Sequence, residues 1–179
     1  LASAGASLIS ARKTSRYQIA CYTRPWTKHD YIVALDGIAE AGYKYVGLST
    51  HNKGRVIDRN TSPEVAARIG EEIKARGLQI VTLSGGTFDT KKSIDEGIAG
   101  LKRLIENSVR CGSPTIQLND ELGDEFYKVI SECCDYAAEK GVRITVKPHG
   151  SSGIVCRRSI EKVGHKNFKL WYDPGNVSY

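Results

Sequence analysis

The feature that most constrains this chain is a unit that repeats along it. From residue 17 onward, an apolar run rich in β-branched and aromatic residues is followed by an amphipathic stretch that closes on glycine. The apolar runs fall at 17–22, 45–48, 78–83, 115–118, 142–146 and 168–172. Between the first two, Tyr31, Ala34, Leu35 and Ile38 recur at helical spacing, with Thr27 as the expected N-cap, Asp30 three residues on, and Gly42 as the stop. Ser62-Pro63 reads as a cap followed by proline at the first helical position, and Ala66, Ile69 and Ile73 then face inward up to Gly77. Ile94, Ile98, Leu101, Ile105 and Val109 mark a long helix ending at Gly112. Phe126, Val129, Ile130, Cys133 and Ala137 mark another, ending at Gly141, and a short helix is expected around 159–163.

Strands that alternate with helices pair in parallel through right-handed crossovers. The repeat of about 30 residues is the size of one βαβ step. Two architectures accept six such strands: an open doubly wound sheet, or a (β/α)8 TIM barrel carried through about six of its units, since a complete barrel takes ~250 residues. A dinucleotide fold would place a glycine-rich fingerprint after the first strand. Thr23-Arg24-Pro25-Trp26 stands there instead, and no P-loop signature occurs.

Composition narrows the partners. With 40% apolar and 26% charged residues, 179 residues suffice for one domain with a sizeable core. No stretch approaches the ~18 uninterrupted apolar residues of a membrane span. The net charge of +6 suits anionic small molecules, but the basic residues are scattered and carry no interleaved aromatics. Nucleic acid is therefore not the expected partner. The chain has no methionine and starts at Leu1, so it is expected to be a processed or truncated piece. Residues 1–11 are small and apolar and turn basic at Arg12-Lys13. Residues 1–16 read either as the tail of a signal peptide, which would imply export to a periplasm, or as a disordered N-terminal segment. Residues 17–179 form the expected domain. The five cysteines are odd in number and make no C-x-x-C pair, so they are expected as small core residues.

In parallel α/β proteins, ligands bind beyond the C-terminal ends of the strands. The polar residues at those positions are Thr23, Arg24 and Trp26; Ser49 and His51; Ser84, Gly85 and Gly86; Gln117, Asn119 and Asp120; Lys147 and His149; and Asp173 and Asn176. All fall on one rim, although Ser, Asn, Asp and Gly also serve as turn formers. Lys147 ends a run that is otherwise apolar. Such a lysine could form a Schiff base, bind an anionic substrate group, or pair with Asp173. His149 suits proton transfer or metal binding. Asp173, before Pro-Gly, suits a turn or a hard-metal site.

The segments IACYTRPW and ALDGIAEAGYKYVGLS within 19–49, GVRITVKPHG at 141–150 and FKLWYDPGNVSY at 168–179 resemble xylose isomerase-like TIM barrel proteins, the sugar phosphate isomerases/epimerases. The resemblance spans about 17–179 and implies a barrel lacking its last strands. It also implies a proton shuttle on a hydroxy-carbonyl sugar, with Lys147 and His149 catalytic, Trp26, Arg24, His51 and Asn176 binding substrate, and Asp173 as a metal ligand. The family's fifth strand normally carries a Glu two residues before its His, to bind a divalent metal. Here that slot is Lys147, and Asn176 stands where a His often follows the sixth strand's Asp. A cation in a ligand slot is expected to weaken or abolish binding of Mn²⁺, Mg²⁺ or Zn²⁺. Three other functions compete. One is a lysine-dependent aldolase or lyase acting through Lys147; another is a non-catalytic sugar-binding relative. The third is an endonuclease IV-like hydrolase, which four histidines serve poorly.

Overall fold

The computed structural model describes residues 17–86, 88, 93–119, 123–147 and 153–177, the side chains at 153, 156, 176 and 177 excepted. The segment at 1–16 lies outside the described residues. Six parallel strands form one sheet: β1 (Ala20–Tyr22), β2 (Tyr45–Leu48), β5 (Gln79–Gly86), β6 (Thr115–Asn119), β7 (Arg143–Lys147) and β8 (Phe168–Leu170), in sequential neighbour order. Sequential order selects the barrel over the doubly wound sheet, whose order reverses at a switch point. The barrel is not closed, because β1 and β8 are edges with no pairing between them. A hairpin of β3 (Thr50–His51) and β4 (Gly54–Arg55), which the sequence pattern does not announce, rises directly from the end of β2.

The helices are α1 (Tyr31–Glu40), α2 (Pro63–Ala75), α3 (Ile94–Cys111), α4 (Asp124–Glu139), α5 (Gly153–Val163) and α6 (Pro174–Val177). Asp30, not Thr27, caps α1: its carboxylate accepts from the Ile32 N–H at 3.0 Å. Residues 24–26 are taken up by a short 3-10 turn, which delays the helix. Ser62 and Ser93 cap α2 and α3 by accepting from the Val65 and Glu96 N–H groups. Gly112 ends α3 in the left-handed conformation, φ 83°. The fifth helix begins earlier than the expected 159, at Gly153. The outer strands are shorter than the apolar runs that announce them.

Side-chain alternation divides the sheet into two faces. Val46, Leu48, Leu83, Ile116, Leu118, Ile144, Val146 and Phe168 are buried in one core with Leu35, Ile69, Leu101, Ile105, Phe126 and Val129 from the helices. The alternate row carries Tyr22, Ser84, Gln117, Asn119 and Lys147, which face a common cleft. The apolar neighbours of Lys147 thus pack outward against helices, and the inner row of β7 is polar. Gly47 keeps that inner space open. A Cβ there would lie 2.8 Å from the Tyr22 ring, so the ring occupies the room a side chain would take.

Candidate active site

A cleft of about 870 Å³ opens at the C-terminal ends of the strands. It is lined by Tyr22, Arg24 and Pro25 after β1, Ser49, Thr50 and Arg55 around the hairpin, Ser84 on β5, Gln117 and Asn119 on β6, Lys147 on β7, and Trp171 and Asp173 after β8. Register brings the key groups together: Asn119 pairs with Lys147, and Val146 with Leu170. Lys147 Nζ lies 2.9 Å from Asp173 Oδ2, with the two side chains 14% and 27% exposed. That ion pair joins the ends of adjacent strands, which lie ~4.8 Å apart.

The hairpin delivers a second cation. Thr23 ties its base: its hydroxyl accepts from the Ser49 N–H at 3.0 Å and donates to the Thr50 carbonyl at 3.3 Å. Val56 and Ile57, immediately after β4, are buried. Arg55 is thereby aimed across the cleft, where Nη1 donates to both the carbonyl and the hydroxyl of Ser84, at 3.0 and 2.9 Å. Burial holds its guanidinium below the ordinary arginine pKa, against a smaller opposing pull from Asp58.

Tyr22 and Thr82 contribute buried hydroxyls that meet no partner in hydrogen-bond geometry. Burial raises the Tyr22 phenol to about 12, and the Asp173 charge adds to that rise. The nearby Thr82 hydroxyl favours the phenolate and opposes that rise, by more than the Asp173 charge adds. The Tyr22 ring meets Trp171 edge-on at 6.4 Å, so the two edges of the open sheet touch at the mouth.

Of the residues singled out from sequence, the structure brings Arg24, Ser49, Ser84, Gln117, Asn119, Lys147 and Asp173 into the cleft. Trp26 is packed against Gly37 of α1 instead, and Trp171 is the tryptophan that faces the cleft. His51 stacks edge-on with Tyr31 at 5.7 Å, outside the cleft lining, with Nδ1 buried and without a hydrogen-bond partner among the described residues. His149 and Asp120 lie outside the described residues, and the Asn176 side chain is likewise undescribed. Arg55, Tyr22 and Trp171 had no place among the sequence candidates. An arginine in the loop after the second strand looks like any solvated charge, and Tyr22 and Trp171 look like ordinary strand residues.

The described residues do not fit a divalent metal. No group of three or more His, Cys, Asp or Glu among them could hold one. Beside Asp173, the position where a cation would sit is taken by the Lys147 ammonium.

A parallel six-stranded β/α barrel with its cleft on the C-terminal rim defines the class. The match of residues 35–179 to the family model for xylose isomerase-like TIM barrels makes the chain a member of that family. Among solved structures, the chain is similar to D-psicose 3-epimerase in the presence of D-fructose, at 14% identity and TM-score 0.64 over 84% of this chain and 61% of that one. A xylose isomerase-like TIM barrel protein from Mycobacterium smegmatis in complex with magnesium matches at 16% identity and TM-score 0.66, covering 90% and 66%. An AP endonuclease, family 2, from Brucella melitensis matches at 13% and 0.64, covering 89% and 69%. At these identities the likeness carries the fold alone. The chain spans about 60% of the length of the epimerase. No curated protein matches the sequence.

Proposed function

We propose that the cleft serves a sugar isomerase or epimerase that moves a proton on a hydroxy-carbonyl substrate. The Lys147–Asp173 pair within a cleft of sugar size carries this reading. The family and its epimerase neighbours support it. Loss of the proton α to a carbonyl leaves charge on the carbonyl oxygen, and a fixed cation at that point lowers the barrier. Lys147 supplies that cation, and Asp173 holds it in place. The family pattern gives His149 the proton exchange and Asn176 a part in binding substrate hydroxyls, and Arg24 reaches them from the cleft lining. Trp171 offers the aromatic face against which a sugar ring rests. A Schiff-base role is less well served, because the Lys147 amine would first have to leave its carboxylate partner.

The test is solvent exchange. Full-length protein is incubated with unphosphorylated and phosphorylated pentuloses and hexuloses in deuterated water, and label at the carbons flanking the carbonyl is followed by NMR. Lys147→Met should slow exchange by about 10²-fold, the usual cost of removing one charge-stabilising donor. Exchange indifferent to that substitution, or borohydride trapping of a ketose on Lys147, would rule the proposal out.

A further inference from the structure

We infer that Arg55, with Arg24 at the rim, forms an oxyanion subsite that takes a phosphate or carboxylate group of the ligand. The inference rests on the sugar-site reading and adds the substrate class. Three cations line the cleft, Arg24, Arg55 and Lys147, against a single carboxylate, Asp173, among the described residues. That carboxylate is engaged by Lys147. The described residues place no carboxylate within 4.0 Å of Arg55, and none of Arg24. The carboxylate whose charge acts on Arg55 among the described residues is Asp58. Its Oδ1 is spent on its own turn, accepting from the Asn60 and Thr61 N–H groups at 2.8 and 3.0 Å.

Arg55 is also held as a binding group is held. Among the described residues its hydrogen bonds are those of Nη1 to Ser84, and the guanidinium lies on the cleft lining. Gly86 makes the seat. It lies at φ 74°, and a Cβ there would fall 2.3 Å from Arg55 Nε. A half-buried guanidinium with no ion-pair partner among the described residues gains from an anion in the cleft, and its planar fork matches phosphate and carboxylate in two-point contact.

Calorimetry on full-length protein separates the possibilities. The probes are D-fructose, D-fructose 6-phosphate, D-glucuronate and inorganic phosphate at constant ionic strength. At least one charged sugar should bind about ten-fold or more tighter than fructose. Preference for the phosphate or for the uronate identifies which anion the subsite takes. Arg55→Met should abolish the preference while leaving the affinity for fructose within about two-fold; Arg24→Met should reduce it. Should Arg55→Met fail to fold, Arg55→Lys, which keeps charge but loses the fork, should still cut the preference, and competition by inorganic phosphate against the charged sugar is read on wild type. Equal affinity for charged and neutral sugars, or a preference that survives loss of Arg55, overturns the subsite and spares the sugar reading. Inorganic phosphate that binds through Arg55 as tightly as any sugar derivative keeps the subsite and sinks the sugar reading. No binding by any probe overturns both.

Discussion

Lys147 sets the charge at the mouth of the cleft. Its ammonium and the Asp173 carboxylate satisfy each other at 2.9 Å, so each neutralises the charge a metal would otherwise meet. Lys147→Glu should then raise affinity for Mn²⁺ by about ten-fold or more, ~1.4 kcal/mol, read by titration of full-length protein. Without metal, the two facing carboxylates should lower the urea midpoint, and Mn²⁺ should restore it. Tight metal binding by the wild type, unchanged in the variant, would show that Lys147 has another role. Tyr22 carries a pH signature. Below pH 10 the phenol is protonated in both folded and unfolded chains. Between 10 and about 12 the unfolded chain loses that proton while the native one keeps it, so stability falls across this window. Tyr22→Phe should flatten the fall in urea midpoints over that range. It should be near neutral at pH 7, because it removes a buried hydroxyl that has no partner in hydrogen-bond geometry among the described residues. Lys147 and Asp173 were legible in sequence because a charge at a strand's C-terminal end interrupts an apolar run. Arg55 was not: its significance comes from a hairpin whose two strands have two residues each, too short to leave a period.

Helices α1 to α4 were the most legible elements, since 10–18 residues give the 3.6-residue period room to repeat. Their ends were less so. Thr27 and Asp30 are both good caps by residue type, and only the 3-10 turn at Arg24–Trp26 decides between them. Asp30→Ala should cost about 1 kcal/mol by denaturant unfolding, and Thr27→Ala much less. At the α2–α3 contact, glycine has a packing role. A Cβ on Gly70 would come 2.7 Å from the Cys111 carbonyl oxygen and 2.9 Å from its Cα. Gly→Ala inside a helix ordinarily gains about 1 kcal/mol in propensity. Here overpacking against rigid backbone, about 1–3 kcal/mol, should win. Gly70→Ala should therefore destabilise, and a higher urea midpoint would show that the helices can part at little cost.

At the scale of the molecule, the six strands keep sequential order without closing. The order was legible from the repeat. The open seam is a tertiary fact that no local pattern encodes, though the chain length against a full barrel pointed to it. At the seam β1 and β8 each present one unpaired edge of three residues. Exposed Tyr17, Ile19 and Tyr172 flank those edges. Short edge strands blunt pairing with other chains, but exposed apolar residues beside them favour it. The isolated 179-residue chain should therefore associate in a concentration-dependent way, seen as a rising sedimentation coefficient. Tyr172→Lys should suppress this, and a concentration-independent monomer would show that the seam is self-protected. The aromatic contact that bridges the seam has an optical consequence. Of the two tryptophans, Trp26 is packed against α1, while Trp171 stands in the cleft edge-on to Tyr22. Any ligand that settles there changes the surroundings of one indole and leaves the other alone, so the emission of Trp171 becomes an intrinsic gauge of occupancy, with Trp26 as its internal standard.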